Sequence, residues 1–143
     1  MGKHKSERSL FMESLKILVV DDEAPISSYL QRKLTKQGYM VYTADDGEEA
    51  LRQAFLRLPD IVLLDVKLPK LNGIEVCKIL KSDDRTKDAQ IIMLSAKAQS
   101  DEVQQGLDAG AVRYLCKPVG FPEIFEEIRR LHDKGEALKK GRS

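Results

Sequence analysis

Short apolar runs alternate with longer amphipathic stretches along most of the chain. Five runs without polar alternation read as buried strands, at residues 17–20, 39–44, 61–64, 91–94 and 114–116. After each run, apolar residues recur three and four positions apart, which is the period of one face of a helix. The pattern predicts five repeats of a strand followed by a helix.

Proline and glycine mark where the predicted helices start and stop. Pro25 suits the first turn of helix one, Gly38 ends it, Pro59 closes helix two, Gly73 opens helix three and Gly110 ends helix four. Short connections between parallel strands require right-handed crossovers, and strands that are apolar on both sides require helices on both faces of the sheet. We therefore expect a doubly wound α/β domain.

Length and composition narrow the class of protein. A chain of 143 residues has a common single-domain size, and 42% hydrophobic with 33% charged residues is typical of a soluble globular protein. No apolar run approaches the roughly 20 residues that span a bilayer, and residues 1–15 lack a secretory signal. Cys77 and Cys116 form no disulfide framework and are expected as small buried side chains. We expect a cytoplasmic protein without membrane contact.

The formal charge of +1 is unevenly distributed. Basic side chains are in excess at both ends, whereas the middle of the chain is acidic. A nucleic-acid-binding domain would cluster its basic residues on a folded face, so direct nucleic-acid binding is not expected. We divide the chain into a disordered N-terminal extension at 1–14, one domain at 15–133 and a basic C-terminal tail at 134–143.

Polar residues follow four of the predicted strands. Asp21 and Asp22 follow the first, Asp65 follows the third, Ser95 the fourth and Lys117 the fifth. Each alone has an ordinary explanation, as a helix cap, a turn residue or a solvated charge. Ligands of doubly wound sheets, however, bind beyond the carboxyl ends of the strands, where all five residues fall. Grouped carboxylates resist ionising unless a cation neutralises them, which predicts a hard divalent cation and a place for a phosphoryl group.

Five segments together resemble a response-regulator receiver domain of two-component signalling, of the chemotaxis-regulator type. They cover about residues 16–132 in the family's order and spacing, and read ILVVDDE, IVLLDVKLPKLNG, IIMLSAKA, GLDAGAVRYLCKP and GFPEI. The resemblance implies a flavodoxin-like fold with a five-stranded parallel sheet in the order 2-1-3-4-5 and five helices.

The resemblance also implies a phosphoacceptor and a metal site. Asp65 would take a phosphoryl group from a sensor histidine kinase or a His-phosphotransfer protein. Mg²⁺, for which Mn²⁺ can substitute, would be held by Asp22 directly, by Asp21 largely through water, by Asp65 and by the backbone carbonyl of Lys67. Beyond its own phosphotransfer and autodephosphorylation, the protein is expected not to be an enzyme.

Three further positions match the family's switching machinery. The Ser95 hydroxyl and the Lys117 ammonium would contact the phosphoryl oxygens, and the Lys117–Pro118 bond is a candidate cis peptide. Tyr114 occupies the aromatic switch position and would follow Ser95 when Ser95 moves toward the phosphoryl group; the alternative is an ordinary core tyrosine.

The switch would alter the surface of helix four, strand five and helix five. That surface is expected to bind a downstream target protein or a second copy of the chain. Val112 and Arg113 stand where receivers frequently have acidic residues, so pairing on this surface is expected to differ.

Other functions fit the sequence less well. A flavin or nucleotide site needs a Gly- or Thr-rich phosphate loop, but the loop after strand one reads DDEAP. An aspartyl phosphatase needs a second acid two residues after its nucleophile, where this chain has Lys67. A degenerate receiver, acting as a phosphorylation-independent interaction module, stays open as the alternative.

Two lysines lie near the expected phosphorylation site. Lys67 follows Asp65 by two residues, and Lys97 follows Ser95 by two. In receivers these positions flank the path of the water that hydrolyses the acyl phosphate. Two long cations there predict a phosphorylated state lasting minutes or longer, unless both are simply solvated surface lysines.

Overall fold

The computed structural model describes residues 15–96 and 99–142. Strands β1 to β5 span Lys16–Val20, Met40–Ala44, Ile61–Asp65, Gln90–Ser95 and Arg113–Cys116. Helices α1 to α5 span Ala24–Lys36, Gly47–Arg57, Gly73–Ser82, Ser100–Asp108 and Phe121–Arg142. The predicted alternation of strands and helices is confirmed, and the predicted extension at 1–14 lies outside the described residues.

All paired strands are parallel, and the sheet has the order β2-β1-β3-β4-β5. This confirms the predicted doubly wound, flavodoxin-like topology. The chain moves outward in one direction from β1 to β2 and then in the other from β3 to β5. The switch between these directions lies between β1 and β3, so a crevice is expected at the carboxyl ends of these two strands.

Alternate residues of the strands face two separate apolar cores. On β3, Val62 and Leu64 face the core shared with α2 and α3, whereas Ile61 and Leu63 face the core shared with α1 and α5. All residues of β3 are buried. Burying one such side chain stabilises the fold by about 1.5–3 kcal/mol. Burial on both faces therefore explains why polar residues do not alternate with apolar ones along β3. It also fixes the position of the end of this strand.

Side-chain caps start two of the helices. The Asp46 side chain accepts a hydrogen bond from the Glu49 amide at the start of α2, and the Asn72 side chain accepts one from the Glu75 amide at the start of α3. Gly110 follows α4 with a φ of +113°, which favours glycine. The start of α3 and the end of α4 thus agree with the helix boundaries that the sequence predicts.

Three details differ from the sequence-based expectations or extend them. Asp65 and Ser95 belong to their strands, because they continue the parallel pairing opposite Leu94 and Cys116. Helix α5 continues over 134–142, the segment assigned to a basic tail. Cys77 is buried as predicted, but the prediction that Cys116 is buried is wrong, since Cys116 ends the edge strand β5 and is exposed.

Among the described residues, no helix is long and apolar enough to cross a bilayer.

Candidate functional site

Three aspartates meet at the carboxyl edge of the sheet. Strands β1 and β3 are neighbours with Val20 opposite Leu64, so the residues that follow these two meet at the carboxyl ends of the strands. Carboxylate oxygens of Asp21, Asp22 and Asp65 all lie within 4.8 Å of one another. Asp21 and Asp65 are buried, whereas Asp22 is exposed. The cluster is therefore half enclosed by protein and open to solvent on the side of Asp22.

Lys117 reaches this cluster from the end of β5. Its Nζ atom lies 2.9 Å from Asp21 Oδ2 and 3.2 Å from Asp65 Oδ2. The Lys117 amide donates to the carbonyl of Ser95 at the end of β4, which fixes the backbone from which the side chain extends. The Lys117–Pro118 peptide bond is cis, as predicted. One ammonium thus bridges the two buried carboxylates.

Each buried carboxylate is held at both of its oxygens. Asp21 Oδ1 accepts from the Glu23 amide at 2.9 Å, and Asp65 Oδ1 accepts from the Lys67 amide at 3.2 Å. The Oδ2 atoms of both accept from Lys117. These contacts fix the orientation of both carboxylates, which reduces the reorganisation that binding a ligand would require.

The charges of the site are incompletely balanced. Burial raises the pKa of Asp65, the contacts with Lys117 lower it and the nearby Asp21 raises it, so the net shift is upward. Burial lowers the pKa of Lys117, but hydrogen bonds and attraction to Asp21 and Asp65 outweigh burial, so the net shift is upward. Lys117 thus contacts two of the three carboxylates, and oxygen donors are the ligands that Mg²⁺ and similar hard cations prefer. The donor set fits a divalent cation.

The remaining predicted residues lie around this cluster. Ser95 is buried at the end of β4, opposite Cys116, and Tyr114 is half-buried on β5 opposite Met93. The Lys67 side chain is exposed, and Lys97 lies outside the described residues. The structure therefore brings together Asp21, Asp22, Asp65 and Lys117 directly, with Ser95 on the strand between β3 and β5.

A glycine that the sequence marks only as a helix start also shapes the site. The Gly73 amide donates to the Val66 carbonyl at 2.7 Å, and a Cβ atom on Gly73 would overlap the carbonyl oxygen of Asp65. Helix α3 therefore starts directly against the backbone of the candidate phosphoacceptor. The sequence signal for this close packing was a glycine at a helix start, where the backbone needs no positive φ. Close approach of another backbone is the other reason for a position to lack a side chain.

A family comparison agrees with this geometry. The model of the response regulator receiver domain matches residues 17–129. The chain belongs to the response regulator receiver family. Receivers generally bind Mg²⁺ at an acidic pocket, and this receiver has the aspartate cluster described above.

Curated relatives include a transcriptional regulatory protein and a response regulator. The alkaline phosphatase synthesis transcriptional regulatory protein PhoP of Bacillus subtilis is 45% identical over 121 residues, which are 85% of this chain and 50% of the relative. The response regulator MprA of Mycobacterium leprae is 42% identical over 117 residues, covering 82% of this chain and 50% of the relative. This receiver thus spans about half the length of the curated relatives it matches.

Solved receiver structures share the fold. The chemotaxis protein CheY4 of Vibrio cholerae superposes with a TM-score of 0.78 at 31% identity, covering 82% of this chain and 98% of that chain. The superposition includes nearly all of a chemotaxis receiver. The predicted resemblance to chemotaxis-type receivers is therefore confirmed at the level of fold and family.

Proposed function

We propose that this receiver accepts a phosphoryl group on Asp65 from the phosphohistidine of a sensor kinase or a His-phosphotransfer protein. The observation that supports it most is the ion-paired cluster itself. Lys117 contacts both Asp65 and Asp21, and the three carboxylates lie within reach of a single cation. A purely structural ion pair would not need a third, exposed carboxylate at the same point.

The transfer conserves atoms and charge. An oxygen of the Asp65 carboxylate attacks phosphorus, the phosphorus–nitrogen bond of the phosphohistidine breaks, and the imidazole leaves with the electron pair. Mg²⁺, or Mn²⁺ in its place, would be held by Asp21, Asp22, Asp65 and the Lys67 carbonyl. When bound, the cation neutralises charge on the phosphoryl oxygens.

The protein's own residues supply the rest. The Lys117 ammonium lies next to Asp65 and can move its contact to a phosphoryl oxygen, while the buried Ser95 hydroxyl can donate to another. Because burial raises the pKa of Asp65, a cation also serves the nucleophile by favouring its ionised form.

The output is proposed to pass through the surface of α4, β5 and α5. Movement of Ser95 toward the phosphoryl group would draw Tyr114 inward and alter this surface. Exposed Leu107 and Val112 lie on it, and Arg113 pairs with Glu127 of α5 at 3.0 Å. A target protein or a second copy of the chain would dock there. The domain itself would not contact nucleic acid, and it would catalyse only its own phosphorylation and dephosphorylation.

Phosphorylation by acetyl phosphate tests the acceptor. Asp65→Asn should abolish phosphate incorporation in the presence of Mg²⁺, because the amide oxygen is a poor nucleophile. Asp84→Asn is the matched control, since the Asp84 side chain is 96% exposed and removing it changes the charge equally. Undiminished incorporation by Asp65→Asn, measured by intact mass, would overturn the assignment.

Titration with Mg²⁺ separates an active receiver from a degenerate one. Asp22→Ala should weaken Mg²⁺ binding far more than Glu23→Ala, since only Asp22 belongs to the cluster and Glu23 makes no side-chain cap to α1. Calorimetry or amide NMR can follow the titration. Equal losses would mean that the wrong acid is assigned, and a parent protein that responds to neither Mg²⁺ nor acetyl phosphate would favour the interaction module.

A further inference from the structure

The loop at 66–72 links the candidate phosphoacceptor to α3 and carries Lys67. Its far side contacts the start of α2, in the neighbouring strand-helix unit. The Gly47 amide donates to the Pro69 carbonyl at 3.2 Å. A Cβ atom on Gly47 would overlap the carbonyl oxygen of Leu71 and lie 2.5 Å from the Leu71 Cβ atom. The loop and the helix therefore fit together only because position 47 has no side chain.

The near side of the same loop is fixed to β3. The Gly73 amide donates to the Val66 carbonyl, and the Lys67 amide donates to Asp65 Oδ1. Lys67 thus lies between an anchor on the phosphoacceptor strand and an anchor on α2. A shift at either anchor moves the Lys67 backbone relative to Asp65.

A third contact joins the same two elements. Lys70 has a φ of +70°, in the left-handed region that a residue with a side chain rarely adopts. Its Nζ atom lies 3.5 Å from Asp46 Oδ2, and Asp46 caps α2 immediately before Gly47. The unusual backbone conformation therefore lies in the part of the loop that faces α2.

We propose that Gly47 is a positioning residue for the cation site, acting through the loop that carries the Lys67 carbonyl. The inference rests on the proposed function, because it assigns that carbonyl to the metal. Strand β2 and helix α2 supply none of the proposed ligands, yet their junction sets where the loop lies. An added methyl group at position 47 meets backbone atoms, which no change of rotamer can relieve, so the loop must move.

The substitution Gly47→Ala tests the proposal, with Gly120→Ala as the matched control. A Cβ atom on Gly120 would lie 3.5 Å from Pro122 Cδ, an ordinary contact. Alanine favours helix formation more than glycine, so a loss in Gly47→Ala cannot come from helix propensity. We expect faster amide hydrogen exchange at Lys67 in the metal-free protein and Mg²⁺ binding weakened by about 10-fold or more, as for other residues that orient metal ligands. Gly120→Ala should change neither.

Each outcome decides the proposal. Mg²⁺ affinity and Lys67 exchange that match the parent in Gly47→Ala would overturn it and leave the proposed function intact. A parent protein that does not bind Mg²⁺ would overturn both. If Gly47→Ala does not fold, Leu71→Gly removes the Cβ atom on the loop side of the same contact. Weaker Mg²⁺ binding in that variant supports the proposal, and unchanged binding overturns it.

Discussion

The ring of Tyr114 packs on Gly106 of α4. A Cβ atom at position 106 would lie 2.9 Å from the Tyr114 Cδ2 atom and 2.8 Å from the Met93 sulfur. The missing side chain at position 106 therefore leaves the space that the half-buried ring occupies between β5 and α4. The position of the Tyr114 ring in the unphosphorylated protein therefore depends on Gly106 of α4. Tyr114 is the proposed switch residue, so this contact bears on the switch.

Gly106→Ala should displace the Tyr114 ring and change the response to phosphorylation. The extra methyl group overpacks the site, which typically costs about 1–3 kcal/mol of folding free energy. We expect altered ring signals of Tyr114 in NMR spectra before phosphorylation, and a smaller further change after acetyl phosphate is added. Gly120→Ala is the control. Ring signals that match the parent in both states would show that Gly106 does not set the ring position.

Lys117→Met should remove the positive charge of the site while largely keeping its shape. Methionine keeps much of the length of the side chain but leaves Asp21 and Asp65 without the ammonium that both contact. Removing one partner of a buried pair typically destabilises a protein by about 3–5 kcal/mol. In urea unfolding with a chelator present, we expect a lower free energy of unfolding than in the parent, and Mg²⁺ should restore part of it. We also expect no phosphorylation by acetyl phosphate.

Lys78→Met provides the control for that experiment, because Lys78 is exposed on α3. The prediction fails if Lys117→Met matches Lys78→Met in urea, or if Mg²⁺ stabilises the two variants equally. Either result would mean that the ammonium does not compensate the buried carboxylates.

The sequence predicts the alternation of strands and helices, and the side chains that reach this sheet edge, because both depend on local pattern; the strand order came from the family resemblance. Apolar runs that end in Asp65, Ser95 and Lys117 fix which side chains reach one sheet edge, whatever the exact packing. The roles of Gly47 and Gly106 could not be predicted, since each depends on a contact between elements distant in sequence. The exposure of Cys116 was missed for a related reason: short apolar strands look alike whether they are central or, like β5, at an edge.

In the metal-free protein, Asp65→Asn should raise the free energy of unfolding, and the increase should be largest at neutral pH. Burial is the largest cause that raises the folded-state pKa of Asp65, and with the opposing contacts of Lys117 included the pKa stays above its unfolded value of about 3.9. Between the two pKa values the native protein binds more protons than the unfolded chain. The contribution of Asp65 to stability is therefore fully present below the unfolded pKa and is lost as the pH rises through the folded pKa. Asparagine does not titrate and avoids this loss.

Urea unfolding from pH 7.5 down to pH 4 without Mg²⁺ measures the effect. The stability gain of Asp65→Asn over the parent should shrink as the pH falls. A gain that grows toward acid pH would reverse the sign and contradict the raised pKa.

The lifetime of the phosphorylated state tests the lysines that flank the site. The Lys67 side chain is exposed two residues after Asp65, where a long cation can lie over a phosphoryl group, neutralise its charge and obstruct the approach of water. Lys97, two residues after Ser95 in the sequence, is expected to act in the same way. We expect phosphate to persist for minutes or longer in the parent and to be lost faster when both lysines are changed to alanine.

The Lys36→Ala, Lys78→Ala double variant distinguishes this effect from a general loss of positive charge. Lys36 and Lys78 are exposed on α1 and α3 and belong to neither the site nor its loop. The decay of phosphoprotein after removal of acetyl phosphate, followed by intact mass, should be faster in the Lys67→Ala, Lys97→Ala double variant than in this control. If the double variant loses phosphate no faster than the parent, the two lysines are solvated surface residues and water reaches the acyl phosphate by a path that they do not cover.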